Sequence, residues 1–186
     1  MWQGNSASLP DIEKAWLEHA ATAICQIIAD HPNESFYAGA FWHFYCDYTA
    51  ILPPALALNA ESHVVTHDDG EAWSKKWVPA EWQWPVLDKA CDPLKPVYAN
   101  LSDSMTTASD SEWDALIQAH DQLIANVSRV LTSQIHSKAG PFREIPFRNT
   151  FLVAAIDDQR DTDAYNALVR QSVDPTRLAN TEDLLW

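Results

Sequence analysis

Basic residues are scarce in this 186-residue chain: 12 Lys and Arg stand against 26 Asp and Glu, a formal charge of −14. A field of that sign repels phosphate backbones and anionic lipid, so nucleic acid and membrane surfaces are unfavourable partners. Glycine is scarcer still, with 4 residues. The chain has no GxGxxG, no phosphate-cradling glycine loop and no GxSxG elbow, which removes the commonest nucleotide-binding and serine-hydrolase signatures. Its three cysteines, Cys25, Cys46 and Cys91, are odd in number and scattered, with no CxxC; this excludes a disulfide framework and fits a reducing cytoplasm. No stretch approaches the roughly 18 consecutive apolar residues of a membrane helix. The opening Met1-Trp2-Gln3-Gly4-Asn5-Ser6 has neither a basic nor an apolar leader region, so a cytoplasmic protein is expected.

What is present is a globular composition, 47% hydrophobic and 11% aromatic, enough for one core; residues 1–186 read as a single domain with 1–9 a loose segment. Ile12, Trp16, Leu17, Ala20, Ile24, Ile27 and Ile28 recur at helical spacing, predicting an amphipathic helix over 10–29 that stops before Pro32. The aromatic run 35–48 reads as a central strand covered on both faces, with small Ala38, Gly39 and Ala40 where a helix could pack closely. A second strand over 49–58 would pair with it, Pro53-Pro54 forcing a bulge or an edge position. Residues 61–71 read as a loop or short helix. A further helix is expected over 85–90, kept short by Pro93 and Pro96. Ser109-x-x-Glu112 is a capping box opening the longest periodic segment, which ends near Lys138. A buried strand over 150–156, an acidic turn over 157–163 and a helix over 162–173 complete the chain. The expected class is α+β: a small mixed or antiparallel sheet flanked by amphipathic helices.

The chemistry-bearing residues form no strong catalytic constellation. His63 and His67 stand four apart with Asp68 and Asp69 following, as a helical metal pair would, but the Glu of HExxH is missing. His43 and His120 lie on apolar faces and read as hydrogen-bonded core histidines. The carboxylates between Asp157 and Asp163 lack the glycine and closing glutamate of a calcium loop; Asp161 or Thr162 reads as the cap of the last helix. Trp73, Trp77, Trp82 and Trp84 crowd into one short segment. Two of them are expected to close the core and the others to offer interface area at low conformational cost. Residues 15–74 and 96–128 contain no Lys or Arg, whereas Glu18, Asp30, Glu34, Asp47, Glu61, Asp68, Asp69 and Glu71 fall in the first stretch and Asp103, Asp110, Glu112, Asp114 and Asp121 in the second. Such stretches are either ordinary solvated faces or surfaces that steer a cationic partner.

The order of an N-terminal amphipathic helix, Phe36-Tyr37-Ala38-Gly39-Ala40, Trp77-Val78-Pro79-Ala80-Glu81-Trp82 and the segment Phe147 to Asp158 resembles the bacterial domain-of-unknown-function family 4303. The resemblance spans residues 12–185, with the double proline as a departure. It implies an association with polymorphic toxin systems, where small acidic domains serve as immunity proteins, and it carries no catalytic residues over. Charge and resemblance together give the expectation of a non-enzymatic, cytoplasmic immunity protein, monomer or homodimer and without cofactor or metal, that binds a basic toxin such as a nuclease. Asp68, Asp69 and Glu71 beside Trp73 and Trp77 are the expected partner-binding residues, with Asp157, Asp158 and Asp161 second. The alternatives are a metal-dependent hydrolase using His63 and His67, and a self-associating structural module.

Overall fold

The structure, a computed structural model, describes residues 8–42, 47–65, 76–85, 93–181 and 184–185. Helix α1 (Leu9–Asp30) opens at Ser8, where a capping box with Asp11 satisfies the first amides and Pro10 occupies the first turn. It buries the stripe Ile12, Trp16, Ala20, Ile24 and Ile28. Strand β1 (Phe36–Trp42) follows and pairs antiparallel with β2 (Ala55–Ala60). The short helix α2 (Glu61–Val65), a 3-10 turn (Pro79–Glu81) and the two-residue β3 (Trp84–Pro85) come next. Two helices follow, α3 (Lys95–Ser104) and α4 (Asp110–His136), the second opened by the Ser109/Glu112 capping box. Strand β4 (Leu152–Ile156), α5 (Thr162–Ser172) and α6 (Pro175–Leu178) end the chain.

The sheet has the order β3-β2-β1-β4, with β4 parallel to β1 and the other pairs antiparallel. The architecture is therefore α+β with a mixed sheet, as the alternating helical and extended stretches predict. Alternation along β4 sorts its side chains. Val153 and Ala155 face a layer holding Trp16, Ile24, Tyr98, Ile124 and Leu131, whereas Leu152, Ala154 and Ile156 face a layer holding Trp77, Tyr165 and Val169. Trp16 meets Phe41 edge to face at 5.2 Å. Burial of each such side chain contributes roughly 1.5–3 kcal/mol.

Four sequence readings need correction. The prolines Pro53 and Pro54 precede β2 rather than bulging it, and β2 lies inside the sheet between β3 and β1; the register shift falls at Phe36/Ala38. Residues 49–54 carry no strand, because two prolines without donors leave that stretch unable to extend the ladder. Helix α3 was not anticipated. Pro96 sits in its first turn, where the missing N–H is an orphan in any case, so the proline starts a helix instead of breaking one. Pro85, expected in a helix, is in β3, and 86–90 lie outside the described residues. Around Gly39 the nearest groups are the Val153 side chain, the Ala57 carbonyl and the Phe151 ring, at 3.6–3.7 Å from an added Cβ, so its small size accommodates neighbouring strand residues rather than a helix.

Strand β4 is a sheet edge, and helices close it. The Val153 amide donates to Thr132 Oγ1 at 2.9 Å and the Ala155 amide to Ser172 Oγ at 2.9 Å. His136 Nε2, one helical turn beyond Thr132, bonds the Phe151 carbonyl at 2.7 Å. Every one of these groups would otherwise be a buried or half-buried polar atom without a partner, at about 1–3 kcal/mol each. Thr132→Val keeps the shape but strands the Val153 amide, so urea unfolding is expected to show a loss of about 1–3 kcal/mol; a loss below about 0.5 kcal/mol overturns the assignment. Gly39→Ala, in ordinary van der Waals contact at the new Cβ, is expected to raise the melting temperature by a few degrees through reduced unfolded-state entropy, as calorimetry would register.

Candidate functional site

Two features stand out. The first is buried. Trp16 Nε1–H donates to the Tyr98 hydroxyl at 2.9 Å, and that hydroxyl shares a 2.7 Å hydrogen bond with His120 Nε2. Three elements, α1, α3 and α4, are tied together by this chain, at positions each helix buries as part of its apolar stripe. Desolvation, and next the positive charge of Arg160, push the His120 pKa down to about 3. Arg160 bridges Asp121, through two bonds of 2.7 and 2.9 Å, to Asp157 at 2.8 Å. Burial opposes its charge, but the hydrogen bonds it donates to both carboxylates outweigh that cost and hold its pKa raised. His120 is thus the hydrogen-bonded core histidine expected of its apolar face, and a base so strongly disfavoured in its charged form has the character of a structural group.

The second feature lies on the surface. Residues 47–52 form a loop held by Asp47, whose Oδ1 accepts from the Thr49 and Ala50 amides at 3.0 and 3.1 Å. Tyr48 has φ 62°, a left-handed conformation that costs a non-glycine residue about 1 kcal/mol and that this carboxylate clamp sustains. The loop docks on α3 and α4: the Ile51 amide donates to Ser102 Oγ at 3.0 Å and the Tyr48 hydroxyl to Asp114 Oδ1 at 2.7 Å. These bonds join the two stretches that lack Lys and Arg. Asp47, Asp103, Asp110, Glu112 and Asp114 are all exposed there. Among the described residues, the two large hydrophobic side chains that stand exposed are Tyr48 and Leu52, each at 47%, and both belong to this loop.

The expected partner-binding residues fare differently. Asp68, Asp69, Glu71 and Trp73 lie outside the described residues, as do His43, Cys46 and His67. Trp77 is 1% exposed and packs edge to face on Tyr37 at 5.7 Å, so its assignment to a partner surface is corrected. Trp82 and Trp84 are buried as well, so all three described tryptophans of the cluster close the core. Trp77 and Trp82 pack in the layer that contains the small Ala38, Ala40, Ala57 and Ala154, and Trp84 meets Phe36 edge to face at 5.1 Å in the other. Asp157 is buried in its ion pair with Arg160. Asp161 caps α5 through the Ala164 amide at 2.9 Å, as read from the sequence. Asp158 is half-buried. No group of three or more His, Cys, Asp and Glu is placed to hold a metal ion among the described residues, where no helix is long and apolar enough to cross a membrane. The loop 47–52 was missed because its partners come from distant chain segments; the coincidence of an exposed-type Asp-Tyr-Thr turn with the basic-free stretch was the available signal.

A mixed sheet covered on both faces, with a carboxylate-rich outer surface, defines the class as an α+β domain. The chain belongs to the family described as Domain of unknown function (DUF4303), whose model matches residues 17–173. No curated protein and no solved structure matches it.

His120 supplies a test of the buried chain. Its folded pKa lies below the unfolded value of about 6.5. The unfolded state therefore takes up a proton that the native state refuses between those values, and stability falls as pH drops from about 6.5 towards 3. Relative to His120→Gln, the wild type is expected to lose roughly 2–3 kcal/mol more between pH 7 and pH 4.5 in urea unfolding; parallel pH profiles would overturn this.

Proposed function

We propose that this protein is a non-enzymatic binding module that neutralises a basic protein, in the manner of an immunity protein occluding a cationic toxin such as a nuclease. The observation that carries the reading is the meeting of two stretches free of Lys and Arg at one loop that also exposes Tyr48 and Leu52. Carboxylates at the rim would raise the encounter rate with a cationic surface. Tyr48 would anchor the centre, since a tyrosine adds contact area for few rotatable bonds. The net charge of −14 acts in the same direction over longer distances. The reading puts the protein in the cytoplasm beside its target.

The tagged full-length chain is expected to retain one basic protein from a lysate of the source cells at low salt and to lose it at high salt. With that partner purified, Asp103→Lys/Asp110→Lys is expected to slow association about 10-fold at low salt, and Tyr48→Ala to speed dissociation. Rates insensitive to salt and to both variants would overturn the proposal, as would recovery of further copies of the chain alone.

A further inference from the structure

We propose that the groove between the C-terminal half of α4 and residues 174–180 binds a small carboxylate- or phosphate-bearing anion, held between Arg129 and Arg177. The groove is open to solvent and has a volume of about 760 Å³, room enough for a small molecule. Thr132 and His136, which hold the backbone of Val153 and Phe151, line it. Arg129, Ser133 and His136 recur at helical spacing along α4, and Thr176, Arg177 and Asn180 line the other side.

Of the six arginines, Arg148 and Arg160 have carboxylate partners among the described residues, whereas Arg129, Arg143, Arg170 and Arg177 do not. Arg148 pairs with Glu61 and Arg160 with Asp121 and Asp157. Arg129, by contrast, donates to the neutral Asn126 Oδ1 at 3.1 Å and Arg177 to the Asn149 carbonyl at 3.2 Å. Neither has a carboxylate within 4 Å among the described residues, in a chain with 26 acids to 12 bases. A guanidinium carries five N–H donors in a fork that matches carboxylate and phosphate oxygens. One neutral acceptor each leaves most of those donors for a ligand.

One carboxylate lines the groove: Asp174, whose Oδ1 accepts from the Thr176 amide at 2.9 Å and from the Thr176 hydroxyl to cap α6, and whose charge also acts on Arg177, so that a bound anion shares that guanidinium with it. The carbonyls of Ser133, Gln134 and Ile135, which would present the negative end of the α4 dipole, are taken by the amides of Ser137, Ala139 and Lys138. His136 is fixed by its bond to the Phe151 carbonyl, with Nδ1 as its other polar atom. The −14 field opposes a polyanion but is a modest obstacle to a singly or doubly charged molecule, so the ligand is a small anion and not a nucleic acid. The site is separate from the surface centred on Tyr48, and its occupancy does not depend on the proposal made for that surface.

Amide shifts of the isotopically labelled full-length chain, titrated with inorganic phosphate, pyrophosphate and citrate at constant ionic strength set by chloride, test this directly. Saturable shifts are expected at residues 133–137 and 176–180, with Arg129→Gln and Arg177→Gln each weakening the apparent affinity about 10-fold. Saturation by the phosphates alone would assign a phosphoryl ligand, and saturation by citrate alone a carboxylate. Shifts that stay linear past about 10 mM for all three, or saturation indifferent to both arginine substitutions, would overturn the site.

Discussion

The outer edge of β4 is the constraint on which the rest of the molecule depends. A parallel strand at a sheet edge exposes a row of amides and carbonyls, and here that row is deep inside the protein, where an unsatisfied group is costly. Thr132 and His136 on α4 and Ser172 on α5 supply the partners. Thr132 lies one turn from the core residue Ile135 and Ser172 one turn from Leu168 and Val169, so the register that packs α4 and α5 on the sheet also delivers these hydrogen bonds. Helix placement and edge closure are therefore one event, and the polar groove lined by Thr132 and His136 is its by-product.

The opposite end of α4 carries a different load. Trp16, Tyr98 and His120 link three helices through buried hydrogen bonds, and Arg160 ties the turn after β4 to α4 through Asp121. The buried charges of this network are paired, whereas exposed carboxylates without an ion pair among the described residues include those at the start of α4, on one surface with the loop 47–52. A compact left-handed turn at Tyr48 holds an aromatic side chain outward in the middle of that surface.

Much of the fold was legible in the chain. The apolar stripe from Ile12 to Ile28, the capping residues Ser109 and Asp161 and the periodicity behind them located α1, α4 and α5 within a residue or two, because a cap and an apolar stripe are local signals. The central position of β1 and the burial of β4 followed from runs apolar on both faces. Proline was the recurrent source of error. At Pro96 it begins a helix, and at Pro53-Pro54 it precedes a strand, and the same residue type carries both meanings until its position in the first turn or the ladder is known. The tryptophan cluster misled in a related way, since a large ring is equally suited to a core facing small alanines and to an exposed patch.

The sequence by itself determined the class, the boundaries of α1, α4 and α5 and the sign of the molecule's field, because each is set by neighbours within a few residues or by simple composition. The tertiary structure alone decided which carboxylates act together. Asp121 was drawn to Arg160, 39 residues away, which also holds the nearby Asp157, whereas Asp47, Asp103 and Asp114 were brought to one loop by bonds spanning 51 and 66 residues. Contacts at that separation depend on how the sheet and α4 pack, and no local pattern encodes them.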